Sequence, residues 1–285
     1  MKLCRFQKGQ SQARIGLVLE NGAVMDLTAG GVAQMASLLE ADDMLPQLTQ
    51  LANQNLPQFS AADVRPLPPV ERQEVWAVGV TYLRSKKARM EESDFSATAY
   101  DRVYDAPRPE LFFKCLPEKV VASGDAVGIR KDARWNVPEP ELALVINSRG
   151  RLVGYTIGND MSARDIEGEN LLYLPQAKIY DRSCAIGPCI VVGADETAAR
   201  SWRIQLQIQR AAEEVFQGET SVAQIKRTFD ELVSYLLRSQ TFPSGAVLLT
   251  GTGIVPPDGF TLKVGDHIRI SISGIGTLAN RVVEV

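Results

Sequence analysis

From about residue 67 to the C-terminus, the chain consists mainly of short apolar runs separated by glycine and proline. The runs are rich in Val, Ile and Leu, and they include LALVIN, CIVVG, AVLLTG and HIRISIS. Runs of this length and composition, bounded by turn residues, are typical of β-strands. The pattern predicts a mostly β domain over residues 67–285, within an α+β protein.

The first 66 residues have a different pattern, which predicts a small N-terminal α/β domain. The pair Asn21-Gly22 lies between two apolar runs, as in a β-hairpin. Residues 31–54 carry apolar side chains at helical spacing that is interrupted near Pro46, which predicts two helices. The hairpin and the two helices are expected to belong to one small domain that ends near residue 66.

Proline concentrates between residues 59 and 71, where periodicity is lost, and this indicates a linker. We therefore place the domain boundary near residue 66. In the second domain, residues 221–240 carry apolar side chains every three or four positions and predict one amphipathic helix. Residues 81–106 are polar and without clear period, which is typical of a lid or a disordered segment.

Charge and composition restrict the class of partner. The 285 residues carry a formal charge of −3, and no block of lysine and arginine dominates any segment. Neither nucleic acid nor an anionic membrane is favoured as a partner, so we expect a small-molecule ligand. No stretch approaches the ~20 apolar residues of a membrane span, and the N-terminus lacks an apolar signal region, so a cytoplasmic location is expected.

Cysteine and histidine usage restricts the kind of metal site. Four cysteines without a C-x-x-C pair argue against a disulfide framework, so reduced and mostly buried thiols are expected. The chain has one histidine, His267, which rules out any site that needs two imidazoles. A divalent cation bound by oxygen ligands is then the natural expectation.

Two glutamates one residue apart stand at the start of a strand-like run, in WNVPEPELALVIN. Side chains alternate across a strand, so Glu139 and Glu141 are expected to point to the same side. Two like charges so placed repel each other unless a cation, a proton or solvent offsets the repulsion. The pair therefore raises the question of what lies between the carboxylates.

A third acid, Asp160, follows at the end of a β-like run, before a predicted helix that starts from Ser162. Three carboxylates at such strand ends can supply three of the six oxygen ligands of Mg²⁺. An acid at this kind of junction is also commonly a helix cap, so both interpretations remain open on residue types alone. Asp165 and Glu167 are interpreted as charges on the helix surface.

The segment from Trp135 to Ile190 resembles the fumarylacetoacetate hydrolase family. It contains the signature E-x-E, then N-D-x-[ST]-A-R-D, then a lysine before G-P, in that order. The resemblance extends over roughly residues 67–285. It implies a fumarylacetoacetase-like mixed β-sandwich roll as the C-terminal domain, preceded by the small α/β N-terminal domain, and a homodimer.

The resemblance also implies a metal site and a base. It assigns Glu139, Glu141 and Asp160 as ligands of Mg²⁺, with Mn²⁺ or Ca²⁺ as alternatives. It matches Lys178 to the lysine of the family, which near a dication loses its proton more easily and becomes a competent general base. The alternative for Lys178 is an ordinary surface lysine in a polar loop.

The chain departs from the hydrolytic members of the family in one motif. Those members carry G-x-N-Y-x-x-H with a following acid, whereas this chain has GVTYLRSKKARMEES, with Ser85 at the position of the histidine. His267 lies far along the sequence, where a structural or surface role is expected. Attack of water on a C–C bond is therefore poorly supported.

The same stretch, together with LLTGTGIVPPDGF, resembles the sugar-acid branch of the family. This implies dehydration of a 2-keto-3-deoxy sugar acid, a pentonate, to α-ketoglutarate semialdehyde through a metal-stabilised enolate. Lys178 would remove a C3 proton and Glu110 would protonate the departing C4 hydroxyl. The alternative for Glu110 is a solvated acid at the start of a strand.

Three further residues are candidates for substrate binding. Arg84 and Ser85, in the lid, are expected to hold the substrate carboxylate or hydroxyls, and Thr252 offers a hydroxyl and backbone donors. Alternatively, the lid is a plain polar loop, and the glycines on either side of Thr252 serve only turn geometry.

Other functions stay open at this point. The same metal could support C–C hydrolysis of an acylpyruvate or 2,4-diketo sugar acid, with Glu91, Glu92 or Glu110 acting as base through a water. Decarboxylation and keto-enol isomerisation use related chemistry. A protein that binds a 2-keto acid without turning it over is the alternative from another class.

Overall fold

The computed structural model of the protein describes residues 1–92 and 101–285, with the backbone alone at positions 88, 89, 91 and 92. Strands and helices are numbered in chain order. The described strands form three sheets. The large sheet comprises β1 (Lys2–Gln7), β2 (Arg14–Val18), β3 (Val24–Asp26), β4 (Gln58–Phe59), β5 (Arg65–Leu67), β6 (Glu74–Gly79), β7 (Glu110–Cys115), β10 (Pro140–Ile146), β11 (Leu152–Asp160), β13 (Cys184–Val191) and β16 (Ala246–Leu249).

A second sheet has five described strands and a third has two. The second comprises β8 (Ala126–Ile129), β14 (Arg203–Arg210), β15 (Glu213–Ser221), β17 (His267–Ile272) and β18 (Gly276–Glu284), and the third pairs β9 (Asn136–Val137) with β12 (Ser162–Ala163). The described α-helices with two defined ends are α1 (Met35–Leu39), α2 (Met44–Ala52), α3 (Leu83–Glu92), α4 (Arg164–Glu169), α5 (Leu174–Lys178), α6 (Glu196–Arg200) and α7 (Phe229–Leu236). The predicted mostly β architecture is confirmed.

The five-stranded sheet packs against the middle of the large sheet. Strands β10, β11 and β13 contact strands β14, β17 and β18. The core between the two sheets is built from alternate apolar side chains of both, including Leu142, Ile157, Leu206, Ile270 and Leu278. Burial of these alternating side chains is the main favourable contribution to folding of this layer.

The N-terminal hairpin and helix pair were predicted correctly, but the position of the helix break was wrong. Strands β2 and β3 are antiparallel around the Asn21-Gly22 turn. Helices α1 and α2 are separated by residues 40–43, and Pro46 lies inside the first turn of α2. Proline is tolerated there because the first N–H groups of a helix have no partner within the helix.

The segment predicted as a linker is more regular than expected. It contains β5, which pairs with β1, and the Arg5 guanidinium donates to the carbonyl oxygens of Pro68 and Val70. Strand β1 also pairs with β13, with Leu3 opposite Ile190. Strands from both sides of residue 66 thus belong to one sheet, and the division into two domains at that residue stays a prediction.

The single helix predicted over residues 221–240 was wrong in extent. A short 3-10 helix (Val222–Gln224) precedes α7, which begins only at Phe229. The Thr228 hydroxyl accepts a hydrogen bond from the Glu231 N–H and starts a new helix there. A strong N-cap inside an apolar pattern therefore divides what periodicity alone makes continuous.

The four cysteines are buried and free, as expected. Burial raises the pKa of Cys4 to about 12 and that of Cys189 to about 11, so neither thiol ionises readily at neutral pH. Among the described helices, none is long and apolar enough to cross a membrane.

Candidate active site

The three predicted metal ligands meet where strands β10 and β11 pair. Glu139 precedes β10, Glu141 is its second residue, and Asp160 ends β11. The Asp160 N–H donates to the Glu139 carbonyl oxygen at 3.0 Å, so the acids of the two strands lie side by side. One carboxylate oxygen from each acid lies within 4.8 Å of the others. The alternation and pairing of the two strands thus bring the predicted carboxylates together.

The helix that follows Asp160 starts later than predicted. Residues Ser162 and Ala163 pair with β9, and α4 begins at Arg164. The N-cap position of α4 is Ala163, which offers no side-chain oxygen. Asp160 is therefore not a helix cap, and its carboxylate is directed to the cluster with the two glutamates.

Seven ionisable side chains around this point are each at most 5% exposed. We call them the buried charge cluster, and they are Lys114, Glu139, Glu141, Asp160, Arg164, Glu167 and Lys178. Glu167 was predicted to lie on the helix surface, which was wrong, because the Arg164 guanidinium donates to its carboxylate at 2.8 Å. The cluster contains one more acidic than basic side chain. Charges buried to this degree need compensation by partners or by a bound ion.

Lys178 is the last residue of α5 and is only 2% exposed, so the interpretation as a surface lysine was wrong. Its Nζ donates to Glu139 Oε2 at 2.6 Å, to Ser162 Oγ at 2.6 Å and to Asp160 Oδ2 at 3.3 Å. The amine therefore lies directly beside two of the three metal-ligand candidates. Such a position suits a group that exchanges protons with a substrate bound to the metal.

Each carboxylate of the triad is also bound by a fixed donor other than Lys178. The Arg164 guanidinium donates to Glu139 Oε1 at 2.7 Å, and the Gly251 N–H donates to Glu141 Oε2 at 2.6 Å. Lys114 Nζ forms an ion pair with Asp160 Oδ1, at an angle outside that of a hydrogen bond. Each of the three carboxylates is thus held by a fixed donor, and Glu139 and Asp160 are also bound by Lys178.

Glu141 carries the clearest electrostatic sign of a cation site. Burial raises its pKa well above the ordinary glutamate value, and the negative charges of Asp160 and Glu139 raise it further. Among the described residues, Glu141 forms no ion pair within 4.0 Å, and its one hydrogen bond comes from a backbone N–H. Three carboxylates with an uncompensated negative charge fit a hard, oxygen-preferring dication such as Mg²⁺.

The triad lines a small cleft that is partly open to solvent. Lys178 lines this cleft, and Glu110 lines it from the start of β7. Gly79 lies opposite Glu110 in the β6–β7 pair. A Cβ atom on Gly79 would lie 2.0 Å from Glu110 Oε2, so the absence of a side chain there gives room to the carboxyl group.

The predicted substrate-binding residues are placed differently from one another. Ser85 and Thr252 are buried and line the cleft. The Thr252 hydroxyl is already bonded to the backbone N–H and carbonyl of Ile254. The Arg84 side chain is exposed and is not among the cleft-lining residues. A role in substrate binding stays a prediction for all three.

The bases considered for a hydrolytic reaction were Glu91, Glu92 and Glu110. The side chains of Glu91 and Glu92 lie outside the described residues. His267 is exposed at the start of β17 in the five-stranded sheet, so the only imidazole of the chain lies away from the cleft. Glu110 alone of the three candidate acids is seen in the cleft.

Val80 forms part of the cleft wall with an unusual backbone. Its φ of 52° lies in the left-handed region, which β-branched residues strongly avoid. The next residue fixes the turn, because the Thr81 hydroxyl donates to the Thr250 carbonyl oxygen at 2.6 Å. Strain of this kind is found at functional sites, where the surrounding structure holds it in place.

Sequence reasoning missed three donors of the site, which are Lys114, Arg164 and the Gly251 N–H. Lys114 gave one usable signal, since it is a basic residue inside the apolar run LFFKC. Arg164 stands in the quoted signature, but no role was assigned to it. The Gly251 N–H had no signal, because any residue except proline offers the same donor.

Comparison with known proteins places these features in a family. The model of the fumarylacetoacetate hydrolase C-terminal domain matches residues 74–283. A probable 2-keto-3-deoxyxylonate dehydratase of Haloferax volcanii is 47% identical over 260 residues, which cover 90% of this chain and 89% of that protein. The 2-dehydro-3-deoxy-D-arabinonate dehydratase of Saccharolobus solfataricus is 39% identical over 270 residues, covering 93% and 91%.

A solved structure is similar over the whole chain. It is a 2-keto-3-deoxy-D-arabinonate dehydratase complexed with magnesium and 2,5-dioxopentanoate, with a TM-score of 0.84, 34% identity, and coverage of 100% of this chain and 99% of that one. The signature residues, the sheet architecture and these matches agree. This chain therefore belongs to the fumarylacetoacetate hydrolase family.

Proposed function

We propose that this protein catalyses the metal-dependent dehydration of a 2-keto-3-deoxy pentonate to 2,5-dioxopentanoate, which is α-ketoglutarate semialdehyde. The observation that carries the proposal is one cleft lined by the carboxylate triad, Lys178 and Glu110, in a chain whose only histidine lies elsewhere. The names of the two dehydratase relatives, and the ligands named for the similar solved structure, support the same reaction.

The charge of the cluster favours an ion and then an anionic substrate. Glu139, Glu141 and Asp160 would hold Mg²⁺, which when bound stabilises the negative charge that develops on the keto oxygen as a C3 proton leaves. A dication reverses the excess of one negative charge in the buried charge cluster. The carboxylate of a keto acid is attracted by the ion, so we expect the substrate to bind after the ion.

Lys178 and Glu110 divide the elimination between them. The Lys178 amine takes a proton from C3, and the electron pair of that C–H bond forms the C3–C4 double bond. Glu110 gives its proton to the C4 hydroxyl, which leaves as water. The direct products are an unsaturated 5-hydroxy keto acid, a protonated Lys178 and an ionised Glu110.

The same two groups can complete the reaction in the reverse roles. The Glu110 carboxylate removes a proton from C5, and the Lys178 ammonium returns a proton to C3. The resulting C5 enol becomes the aldehyde by tautomerisation. Both side chains then have the protonation states with which they began, so the cycle needs no other acid or base.

A product assay tests the proposal. Purified protein with Mg²⁺ is expected to convert 2-keto-3-deoxy-xylonate or 2-keto-3-deoxy-arabinonate to 2,5-dioxopentanoate and water, as followed by NMR. Release of pyruvate instead would indicate cleavage of a C–C bond and would refute the dehydratase assignment. Consumption of neither substrate, in protein that binds Mg²⁺ and pyruvate, would favour a binding protein without turnover.

The role of Glu110 has its own test. Glu110→Gln is expected to lower kcat by about 100-fold or more, because the departing hydroxyl loses its proton donor. Gly79→Ala should have a similar though smaller effect, since its Cβ would displace the Glu110 carboxyl group. Calorimetry should find Mg²⁺ affinity unchanged in both variants. Parental kcat in folded Glu110→Gln would assign the acid role to another group.

Two further properties belong to the proposal. We propose that the protein is a homodimer and that it acts in the cytoplasm. The first is supported by the family resemblance, and the second by the composition and by the chemistry of a sugar-acid substrate.

A further inference from the structure

A buried arginine outside the cleft, Arg227, holds a segment of backbone that the proposed mechanism does not use. It is 8% exposed and lies two residues before the start of α7. Its guanidinium donates to the carbonyl oxygens of Val103 at 3.3 Å, Ala106 at 2.5 Å and Pro107 at 3.4 Å. We call residues 101–107 the return segment, because the chain comes back through them to β7. Displacing this segment would break all three hydrogen bonds at once.

The preceding residue, Lys226, contacts the chain both before and after α3. Its backbone N–H donates to the Thr81 carbonyl oxygen at 3.1 Å, just before α3 begins. Its ammonium donates to the Tyr104 carbonyl oxygen at 2.9 Å and pairs with the Asp105 carboxylate, both in the return segment. The last carbonyl groups of a helical turn have no partner within the helix, so cations are suitable donors to them. Lys226 and Arg227, which we call the clamp, therefore hold both of these stretches of chain at one place.

The clamp is itself fixed to the body of the protein. Arg200, in α6, donates to the carbonyl oxygens of Ile225 at 3.0 Å and Arg227 at 2.7 Å. It thus binds the backbone on both sides of Lys226. The Arg227 guanidinium also donates to the carboxylate of Glu231 in α7. With partners on all these sides, the clamp offers a rigid support for the segments that it binds.

The segments held by the clamp lead directly to the wall of the cleft. Thr81 follows Val80, whose left-handed backbone forms part of that wall. Asp101 of the return segment pairs at 2.8 Å with the ammonium of Lys86 in α3. Lys86 is next to Ser85, which is 4% exposed and lines the cleft. A change at the clamp is therefore transmitted to the cleft wall at two points, neither of which is a metal-ligand candidate.

We propose that Arg227 is a positioning residue for substrate binding, which together with Lys226 fixes the turn at Val80 and the first turn of α3 against the cleft. The inference rests on the proposed function for the identity of the substrate. It assigns no contact with the substrate to either basic residue. Because the clamp supports groups that meet the substrate and the transition state alike, its loss should raise KM more than it lowers kcat.

Steady-state kinetics of Arg227→Met with Mg²⁺ and 2-keto-3-deoxy-xylonate or 2-keto-3-deoxy-arabinonate provide the first test. KM should rise about tenfold, because a displacement of about 1 Å in a substrate-positioning group is enough for a loss of this size. Loss of uniform binding leaves kcat within about twofold of the parent. Arg227→Lys should recover part of the loss, since an ammonium still donates to carbonyl oxygens. The Kd of Mg²⁺, measured by calorimetry, should stay parental in both variants.

Limited digestion with trypsin gives a second readout that needs no substrate. In Arg227→Met, cleavage after Lys87 and after Arg102 should be about tenfold faster, because hydrogen bonds from a charged donor are lost and cleavage follows the population of the locally opened state. Lys226→Met removes a 37%-exposed ammonium and should change KM and cleavage in the same direction, by about threefold, because exposed ion pairs contribute less.

Arg5→Met is the matched control. The Arg5 guanidinium likewise donates to two backbone carbonyl oxygens and lies beside a glutamate, but in the segment before β6. This variant should therefore leave KM and both cleavage rates parental. Circular dichroism and Tm identify variants that do not fold.

Two results would overturn the inference. They are a folded Arg227→Met with the parental KM, and a folded Arg227→Met with the parental rates of cleavage at both sites. Should this variant not fold, parental KM and cleavage rates in Lys226→Met would refute the clamp. A parent protein that consumes neither keto acid would refute the proposed function instead, and the cleavage rates would still decide whether the clamp holds these segments.

Discussion

Lys178→Met is expected to lower kcat by about three orders of magnitude, the effect of removing a well-placed general base. The same variant should bind Mg²⁺ at least as tightly as the parent, because the Lys178 ammonium lies 2.6 Å from Glu139 Oε2 and competes with the ion for that oxygen. Steady-state kinetics with 2-keto-3-deoxy-xylonate give the first quantity, and calorimetry gives the second. Loss of activity with retained metal binding is the signature of a base rather than a ligand.

Two companion variants sharpen this result. Lys178→Arg keeps the positive charge but replaces the amine by a group that does not deprotonate in proteins, so it should be as inactive as the methionine variant. Lys119→Met removes an exposed lysine of the same chain and should have parental kcat. If Lys178→Arg were to retain parental activity, the residue would act through its charge and the proposed proton transfer would be wrong.

Glu141→Gln should abolish turnover while it stabilises the metal-free protein. Loss of a direct ligand is expected to weaken Mg²⁺ binding by more than about 100-fold, since outer partners alone contribute about 10- to 100-fold. Burial and two neighbouring carboxylates raise the pKa of Glu141, so its ionised form destabilises the folded state and a neutral amide does not. Removing about 1 kcal/mol of such cost would raise Tm by about 2–4 °C.

Glu141→Gln is expected to weaken Mg²⁺ binding but to raise the Tm of the metal-free protein, so general damage to the fold cannot explain both changes. Calorimetry measures the loss of Mg²⁺ binding, and thermal unfolding of chelator-stripped protein measures the gain in Tm. Glu118→Gln, at an exposed glutamate, should change neither quantity. Parental turnover in Glu141→Gln would exclude this carboxylate from the metal site, and a lower Tm of the stripped variant would show that its charge is compensated in the folded protein.

The metal triad was predictable because its geometry is local to two strands. Glu139 and Glu141 are related by strand alternation, and Asp160 is brought to them by the pairing of two strands that follow each other in the chain. The buried cations were not predictable in the same way. Lys114 contacts backbone oxygens 47 and 64 positions away, and only the assembled sheet decides which strand face it occupies.

The prediction of local structure was wrong where tertiary contacts outweighed the periodicity of the sequence. Ser162 and Ala163 read as the start of a helix, but they pair with β9 and delay the helix to Arg164. By spacing alone, Glu167 fits the exposed face of that helix. It is buried because the Arg164 guanidinium donates hydrogen bonds to its carboxylate as well as to that of Glu139. In both cases the decisive contact lies outside the helical sequence: it is β9 for Ser162 and Ala163, and for Glu167 it is Glu139, which holds Arg164 in the buried cluster.

The pairing of β1 with β13 has a consequence for any shortened form of the protein. Strand β13 lies between β1 and β11, and β11 ends in Asp160. Cutting the chain after residue 66 would remove β1 and leave Ile190 and Val191 of β13 on an exposed rim of the sheet, with unpaired amide and carbonyl groups. Such rims recruit other chains, so a trimmed enzyme would need a substitute neighbour along that strand to stay in solution.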